Sequence, residues 1–130
     1  MEADLIARLL DDGGLSVLIG NRVNPVSRVQ GEDLPALTLM TVSPGRAYTF
    51  AGPVRAHGTL MQFDAWAIEV AQAKAVIATL TDILEAPATV GGTVFGMSFL
   101  QSERDGHEDV PGIGTVFRIS ADFLIWWQSL

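Results

Sequence analysis

Residues 58–85 read GTLMQFDAWAIEVAQAKAVIATLTDILE, and the spacing of their apolar side chains changes near the middle. In the first part the side chains alternate, with one side formed by Met61, Phe63 and Ala65 and the other by Gln62, Asp64 and Trp66. This two-residue period predicts a half-buried strand. In the second part apolar residues recur every three or four positions, at Val70, Ala73, Ile77, Leu80 and Leu84. That period predicts an amphipathic helix whose apolar stripe must cover a sheet.

Six further segments supply the remaining elements. We predict helices at Glu2–Leu10 and Leu15–Ile19, an edge strand or extended loop at Arg22–Arg28, and strands at Ala36–Val42, Val94–Glu103 and Thr115–Trp127. The expected fold is α+β, with two layers: an antiparallel sheet of about four strands, and the long helix and short N-terminal helices on one face. We assign residues 1–130 to a single domain.

The amino-acid composition narrows the classes of function that this protein can have. The chain has 8 basic and 15 acidic residues and a net charge of −7, so it cannot easily supply the basic face that nucleic-acid binding requires. The acidic charge fits either ordinary solubility or a surface that DNA passes without sticking, and composition does not choose between them. It has no cysteine, which excludes disulfides and thiolate metal sites and suits a reducing compartment. Neither a signal peptide nor an apolar run long enough for a membrane span is visible in the sequence. We therefore expect a soluble protein in the cytoplasm.

Two segments are predicted to be long loops. Residues 43–58 carry a basic and aromatic mixture: Arg46, Tyr48, Phe50, Arg55 and His57. Such a mixture favours a protein contact, or a plain solvated loop, over DNA. Residues 104–114 are predicted to form a polar hairpin loop, and the acidic residues in and beside it are Glu103, Asp105, Glu108 and Asp109. Their spacing is not that of a calcium-binding loop.

No catalytic, metal-binding or cofactor-binding residues are predicted. His57 and His107 fall in separate loops, and residues 111–114 lack the lysine of a phosphate loop. Asp64 and Asp122 are expected to be neighbours on the polar face of the sheet, where paired carboxylates can perform acid–base chemistry. A structural charge network with Arg118 and Gln62 is the simpler account. We therefore expect a protein that is not an enzyme and needs no cofactor.

The polar face of the sheet suggests self-association. Trp66 and Trp126 are predicted to lie on the same face as the polar residues of the two central strands. Exposed tryptophans are uncommon in monomers and favoured in interfaces. The alternative is an ordinary solvent-exposed face of an antiparallel sheet.

Several segments, in order, resemble the tail completion proteins of long-tailed phages, also called tail terminator or tail-to-head joining proteins. They begin at Leu5 (LIARLL), Leu18 (LIGNRV), Asp33 (DLPALTL), Met61 (MQFDAWA), Leu100 (LQSERD) and Phe117 (FRISADFLIW). The resemblance covers nearly the whole chain. It departs at His107, where an aromatic residue is expected, and residues 43–58 are not diagnostic.

The resemblance implies a hexameric ring that caps the tail tube, stops its polymerisation and joins the tail to the head connector. It places the protein in the virion, at the head-proximal end of the tail of a phage, a prophage or a gene transfer particle, after assembly in the bacterial cytoplasm. The implied partners are further copies of the chain, the tail tube protein and the connector or neck protein. DNA passes through the lumen without specific binding.

Two residue sets follow as expectations. The candidate assembly interface is Arg46, Tyr48, Phe50, Arg55, Gln62, Asp64, Trp66, Arg118, Asp122 and Trp126. The candidate acidic lumen is Glu103, Asp105, Glu108 and Asp109, with Asp64 and Asp122 as further candidates. The alternative functions are a neighbouring neck or head-closure ring and, ranked lower, a small-molecule-binding α+β domain.

Overall fold

The computed structural model describes residues 1–28, 31 and 33–130, except for the side chain of Pro53. The helices are α1 (Glu2–Leu10), α2 (Gly13–Ile19) and α3 (Val70–Glu85). All three lie where the sequence predicts them. The Asp12 side chain accepts a hydrogen bond of 2.9 Å from the Leu15 backbone N–H and so caps α2.

Nine strands are present in the described residues. They are β1 (Val23–Pro25), β2 (Ala36–Ser43), β3 (Tyr48–Thr49), β4 (Gly52–Pro53), β5 (His57–Ala67), β6 (Ala88–Val90), β7 (Thr93–Phe95), β8 (Phe99–Val110) and β9 (Gly114–Ser129). Seven form one sheet in the order β1-β2-β5-β9-β7-β6, with β8 also paired to β9; β3 and β4 form a separate hairpin.

The predicted four-stranded antiparallel sheet is therefore wrong in detail, although the α+β class holds. β1 pairs with β2 in parallel, which makes the sheet mixed. On β9, Trp127 pairs with His57 of β5 on one edge and with Phe95 of β7 on the other, so β7 and β8 follow each other along the same edge. The extra strands are short segments whose apolar pattern is too brief to read from sequence.

The core lies between α3 and one face of the sheet. Met61, Phe63 and Ala65 are buried, as predicted, and the Phe63 and Phe123 rings meet edge to face at 5.5 Å. On α3, Val76 is buried and Val70 is 36% exposed, so the predicted stripe is wrong at its first position. Val70 begins the helix, where the chain has only just turned away from β5.

Residues 104–110 form a strand and not the predicted loop. β8 runs to Val110, and a turn at residues 111–113 leads into β9. Its charged side chains are exposed, and pairing to β9 satisfies one edge of the backbone despite the low strand propensity of Asp and Glu. Tertiary pairing thus overrides local composition in this segment.

Candidate assembly surfaces

The face of the sheet away from α3, called the outer face here, carries two rows of mainly polar side chains. Cross-strand pairing sets the first row as Thr38, Asp64, Ser120 and Arg104, and the second as Met40, Gln62, Asp122 and Ser102. Side chains directly opposite each other on neighbouring strands lie close enough to interact. The outer face therefore has an organised polar centre.

Asp64 belongs to an intramolecular network. Its side chain is 8% exposed, the Ser120 hydroxyl donates to its Oδ1 atom, and Gln62 Nε2 lies 3.1 Å from Oδ2. The expected link between Asp64 and Gln62 is therefore present. The assignment of Asp64 to the lumen stays a prediction.

Asp122 is paired with Arg104, which the expected network with Arg118 and Gln62 did not include. Its Oδ2 atom accepts hydrogen bonds from Ser102 Oγ at 2.8 Å and Arg104 Nη1 at 3.0 Å. Partial burial acts to raise the pKa of Asp122, but these hydrogen bonds and the charge of Arg104 outweigh it and lower the pKa below its ordinary value. Arg104 reaches Asp122 because β8 continues beside β9 past Glu103. The prediction of a loop at residues 104–114 did not include this pairing.

Trp66 lies between two arginines. The guanidinium carbons of Arg28 and Arg118 are 5.2 and 5.5 Å from its ring centroid, and its Nε1 donates to Thr38 Oγ1 at 3.1 Å. Such stacking stabilises both partners. Trp66 is consequently only partly exposed, in contrast to the expectation of an exposed tryptophan. Arg28 also lies 3.6 Å from a Glu108 carboxylate oxygen.

These residues border a cleft of about 570 Å³. Its lining is formed by Val26, Ser27, Arg28, Gly31, Thr38, Asp64, Trp66, Glu108, Val110, Pro111 and Ile113. Of the charged residues in it, Arg28 lies beside Glu108, and Asp64 accepts hydrogen bonds from Ser120 and Gln62. No three His, Asp or Glu side chains within the described part of the chain are grouped so as to hold a metal ion.

The end of the outer face beyond Gln62 is apolar. Leu60, Leu124 and Phe99 stand side by side across three strands, and Phe99 is 43% exposed. Trp126 is 39% exposed and covers Gly58, whose ideal Cβ would lie 3.0 Å from the indole Cη2. Sequence reasoning missed Leu60, Leu124 and Phe99. A signal for this apolar end is present in the sequence, since the run FLIWW at residues 123–127 is apolar on both faces of its strand.

The connection from β2 to β5, residues 44–56, projects beyond the sheet and is called the tongue. It contains the β3–β4 hairpin, in which the Val54 backbone N–H donates to the Ala47 carbonyl. Tyr48 is 68% exposed, Phe50 is fully exposed, and Arg46 stacks over the Tyr48 ring at 5.6 Å. The tongue brings together four of the predicted interface residues, namely Arg46, Tyr48, Phe50 and Arg55.

The acidic residues of β8 are all exposed and occupy both of its faces. Glu103, Asp105 and Asp109 lie opposite Ala121, Ile119 and Thr115, on the α3 side of the sheet, whereas Glu108 points to the outer side. The two histidines are far apart along β9, since His57 pairs with Trp127 and His107 with Phe117. Within the described residues, no helix has the length and apolar character that crossing a membrane requires.

Comparison with known proteins identifies a family and similar solved structures. A family model described as "Tail completion protein gp17" matches residues 3–128. A chain of the solved structure "Virion of native gene transfer agent (GTA) particle" superposes with a TM-score of 0.72 and 18% sequence identity, over 99% of this chain and 95% of that chain. At this identity the structural match concerns the fold. No curated protein matches by sequence.

Proposed function

Because the chain belongs to the family of tail completion protein gp17, we propose that it forms a hexameric ring that caps the tail tube, ends tube polymerisation and joins the tail to the head connector. The family makes it a structural protein of the virion tail. The match over residues 3–128 is the observation that carries the proposal.

The surfaces of the subunit support assembly over catalysis. Phe50, Tyr48, Phe99 and Trp126 are exposed aromatic side chains of the kind that interfaces enrich. In the cleft beside Trp66, the Asp64 carboxylate accepts a hydrogen bond from Ser120, and Trp66 donates one to Thr38 and stacks with Arg28. The proposed role is therefore purely structural, and DNA passes through the ring lumen without specific binding.

The partners follow from the position of the ring. We propose contacts with further copies of the chain, with the tail tube protein on one side and with the connector or neck protein on the other. The virion assembles in the host cytoplasm, and the protein remains at the head-proximal end of the tail. A net charge of −7 is compatible with a lumen that repels DNA and lets it slide.

Electron microscopy of particles produced after deletion of the gene tests this proposal. We expect tails longer than those of the wild type, unattached to DNA-filled heads, and rescue by the wild-type gene supplied in trans. Tails of normal length that fail to attach would identify a neck or head-closure ring instead. Normal, infectious particles would contradict both roles.

A further inference from the structure

The tongue is an ordered segment held by hydrogen bonds. The Thr49 hydroxyl donates to the Gly52 carbonyl at 3.1 Å, and Arg55 Nη2 lies 3.3 Å from the Ser129 carbonyl oxygen. Residues 34–63 contain no Asp or Glu, so Arg46 and Arg55 make the tongue basic within an acidic chain. Phe50 at its tip has no cover in its own subunit. A fully exposed aromatic beside two arginines has the composition of an interface anchor.

The outer edge of β8 is the second uncovered feature. β8 pairs with β9 along one edge, and no strand in the described part of the chain pairs with its other edge over the twelve residues of the strand. Unpaired backbone groups along an edge are a template for another chain. Acidic side chains normally discourage such pairing, but a basic partner turns the same charges into an attraction. The edge is thus selective for a basic segment.

The base of the tongue and the acidic part of β8 lie apart within one subunit. The tongue leaves the sheet at His57, which pairs with Trp127, whereas Asp105 of β8 pairs with Ile119. Eight residues of β9 separate these positions, which corresponds to about 26 Å. Two complementary surfaces at separate places on a subunit favour head-to-tail contact, and head-to-tail contacts that close generate a ring.

We propose that the tongue of one subunit docks on the outer edge of β8 of the next subunit, and that this contact builds the ring. The proposal rests on the function proposed above and specifies which surfaces meet. Phe50 is the apolar anchor, and Arg46 and Arg55 face the carboxylates of Glu103, Asp105 and their neighbours. The occupant of the β8 edge is a second copy of this chain.

Crosslinking tests the contact directly because the chain has no cysteine. One preparation carries Phe50→Cys and a second carries Asp105→Cys, and the two are mixed on tail tubes with a short bis-maleimide. We expect crosslinked dimers only in the mixture, and a ladder of higher multimers when one chain carries both changes. Val17→Cys, on the exposed side of α2, replaces Asp105→Cys as the control and should give no crosslink with Phe50→Cys.

Charge reversal gives an independent measurement. Arg46→Glu should reduce the amount of ring at least tenfold, whereas Lys74→Glu, an equal change of charge at an exposed position of α3, should leave it unchanged. Combining Arg46→Glu with Asp105→Arg should restore ring formation. Circular dichroism checks that each variant is folded.

The two proposals fail in different ways. Capped tails without the Phe50–Asp105 crosslink, together with normal rings from Arg46→Glu, would overturn the tongue contact and leave the tail function standing. If the two cysteine variants form crosslinked rings but deletion of the gene leaves tails normal, the contact would be supported and the tail function overturned.

Discussion

An ideal Cβ atom on Gly45 would lie 1.9 Å from the carbonyl oxygen of Gly58. Gly45 also has a φ of +67°, a left-handed conformation that side chains with a Cβ rarely adopt. The hydroxyl of Thr59 donates to the Pro44 carbonyl at 2.9 Å and receives a hydrogen bond from Trp127 Nε1 at 2.8 Å. The base of the tongue is therefore held against β5 by a contact that only glycine permits.

Gly45→Ala is expected to destabilise the protein. The added methyl group meets backbone atoms, which cannot rotate away, and the positive φ adds strain; we expect a loss of about 1–3 kcal/mol in the free energy of unfolding. Urea denaturation measures the loss. Gly92→Ala is the matched control, because nothing lies within 4 Å of its ideal Cβ. Equal stability of the two variants would show that residues 45 and 58 are not in contact.

Arg8→Ala should loosen the attachment of α1 to α3. Arg8 Nη2 donates to the carbonyl oxygens of Ile83 and Ala86 at the end of α3, and its guanidinium carbon lies 5.4 Å from the centroid of Phe95. Burial lowers the pKa of Arg8, with the charge of Asp12 opposing it, so the guanidinium is already partly desolvated. We expect a loss of about 1–3 kcal/mol, measured by urea unfolding. Lys74→Ala on the exposed side of α3 should cost less than about 0.5 kcal/mol, and equal losses would argue against the role of Arg8.

Ser120→Ala should destabilise the polar centre of the outer face. The substitution removes a hydrogen-bond donor from the buried carboxylate of Asp64, leaving Gln62 as its remaining side-chain donor in the described residues. We expect a loss of about 1–3 kcal/mol, because a buried acceptor is left under-satisfied. Ser16→Ala, at an exposed position of α2, is the control and should stay within about 0.5 kcal/mol of the wild type. A loss no larger than that of the control would contradict the network.

Asp122→Asn should lower stability in a pH-dependent way. Because the pKa of Asp122 is lowered in the folded state, its ion pair with Arg104 stabilises the fold above the unfolded pKa and this contribution is lost as the pH falls through the folded value. For a pair near the surface we expect a difference from the wild type of at most about 1 kcal/mol at neutral pH. The difference should shrink below about pH 4.

Urea unfolding of both proteins between neutral and acidic pH measures the effect. Arg104→Gln should show the same dependence, because it removes the other half of the pair. A difference that stays constant across the pH range would mean that the ion pair does not contribute.

Local sequence was informative where one periodicity runs over many residues. α3 and β5 were predicted correctly because their periods of 3.6 and 2 are unbroken in residues 58–85, although Val70 is exposed. β8 was misread beyond Glu103, since its run of charged residues resembles a loop when its partner strand is unknown. Composition alone, namely the arginines and aromatic residues, indicates that the segment containing the tongue is a candidate contact surface.

The amino-acid sequence by itself determined the elements, the core face of the central strands, and the contrast between a basic, aromatic segment and an acidic one. These properties depend on neighbours in the chain. Tertiary structure alone decided that Asp122 pairs with Arg104, that two arginines lie against Trp66, and that the tongue leaves the sheet eight residues of β9 away from the position of Asp105. The physical reason is that strand register joins residues distant in the chain, and packing of the whole sheet against α3 sets that register.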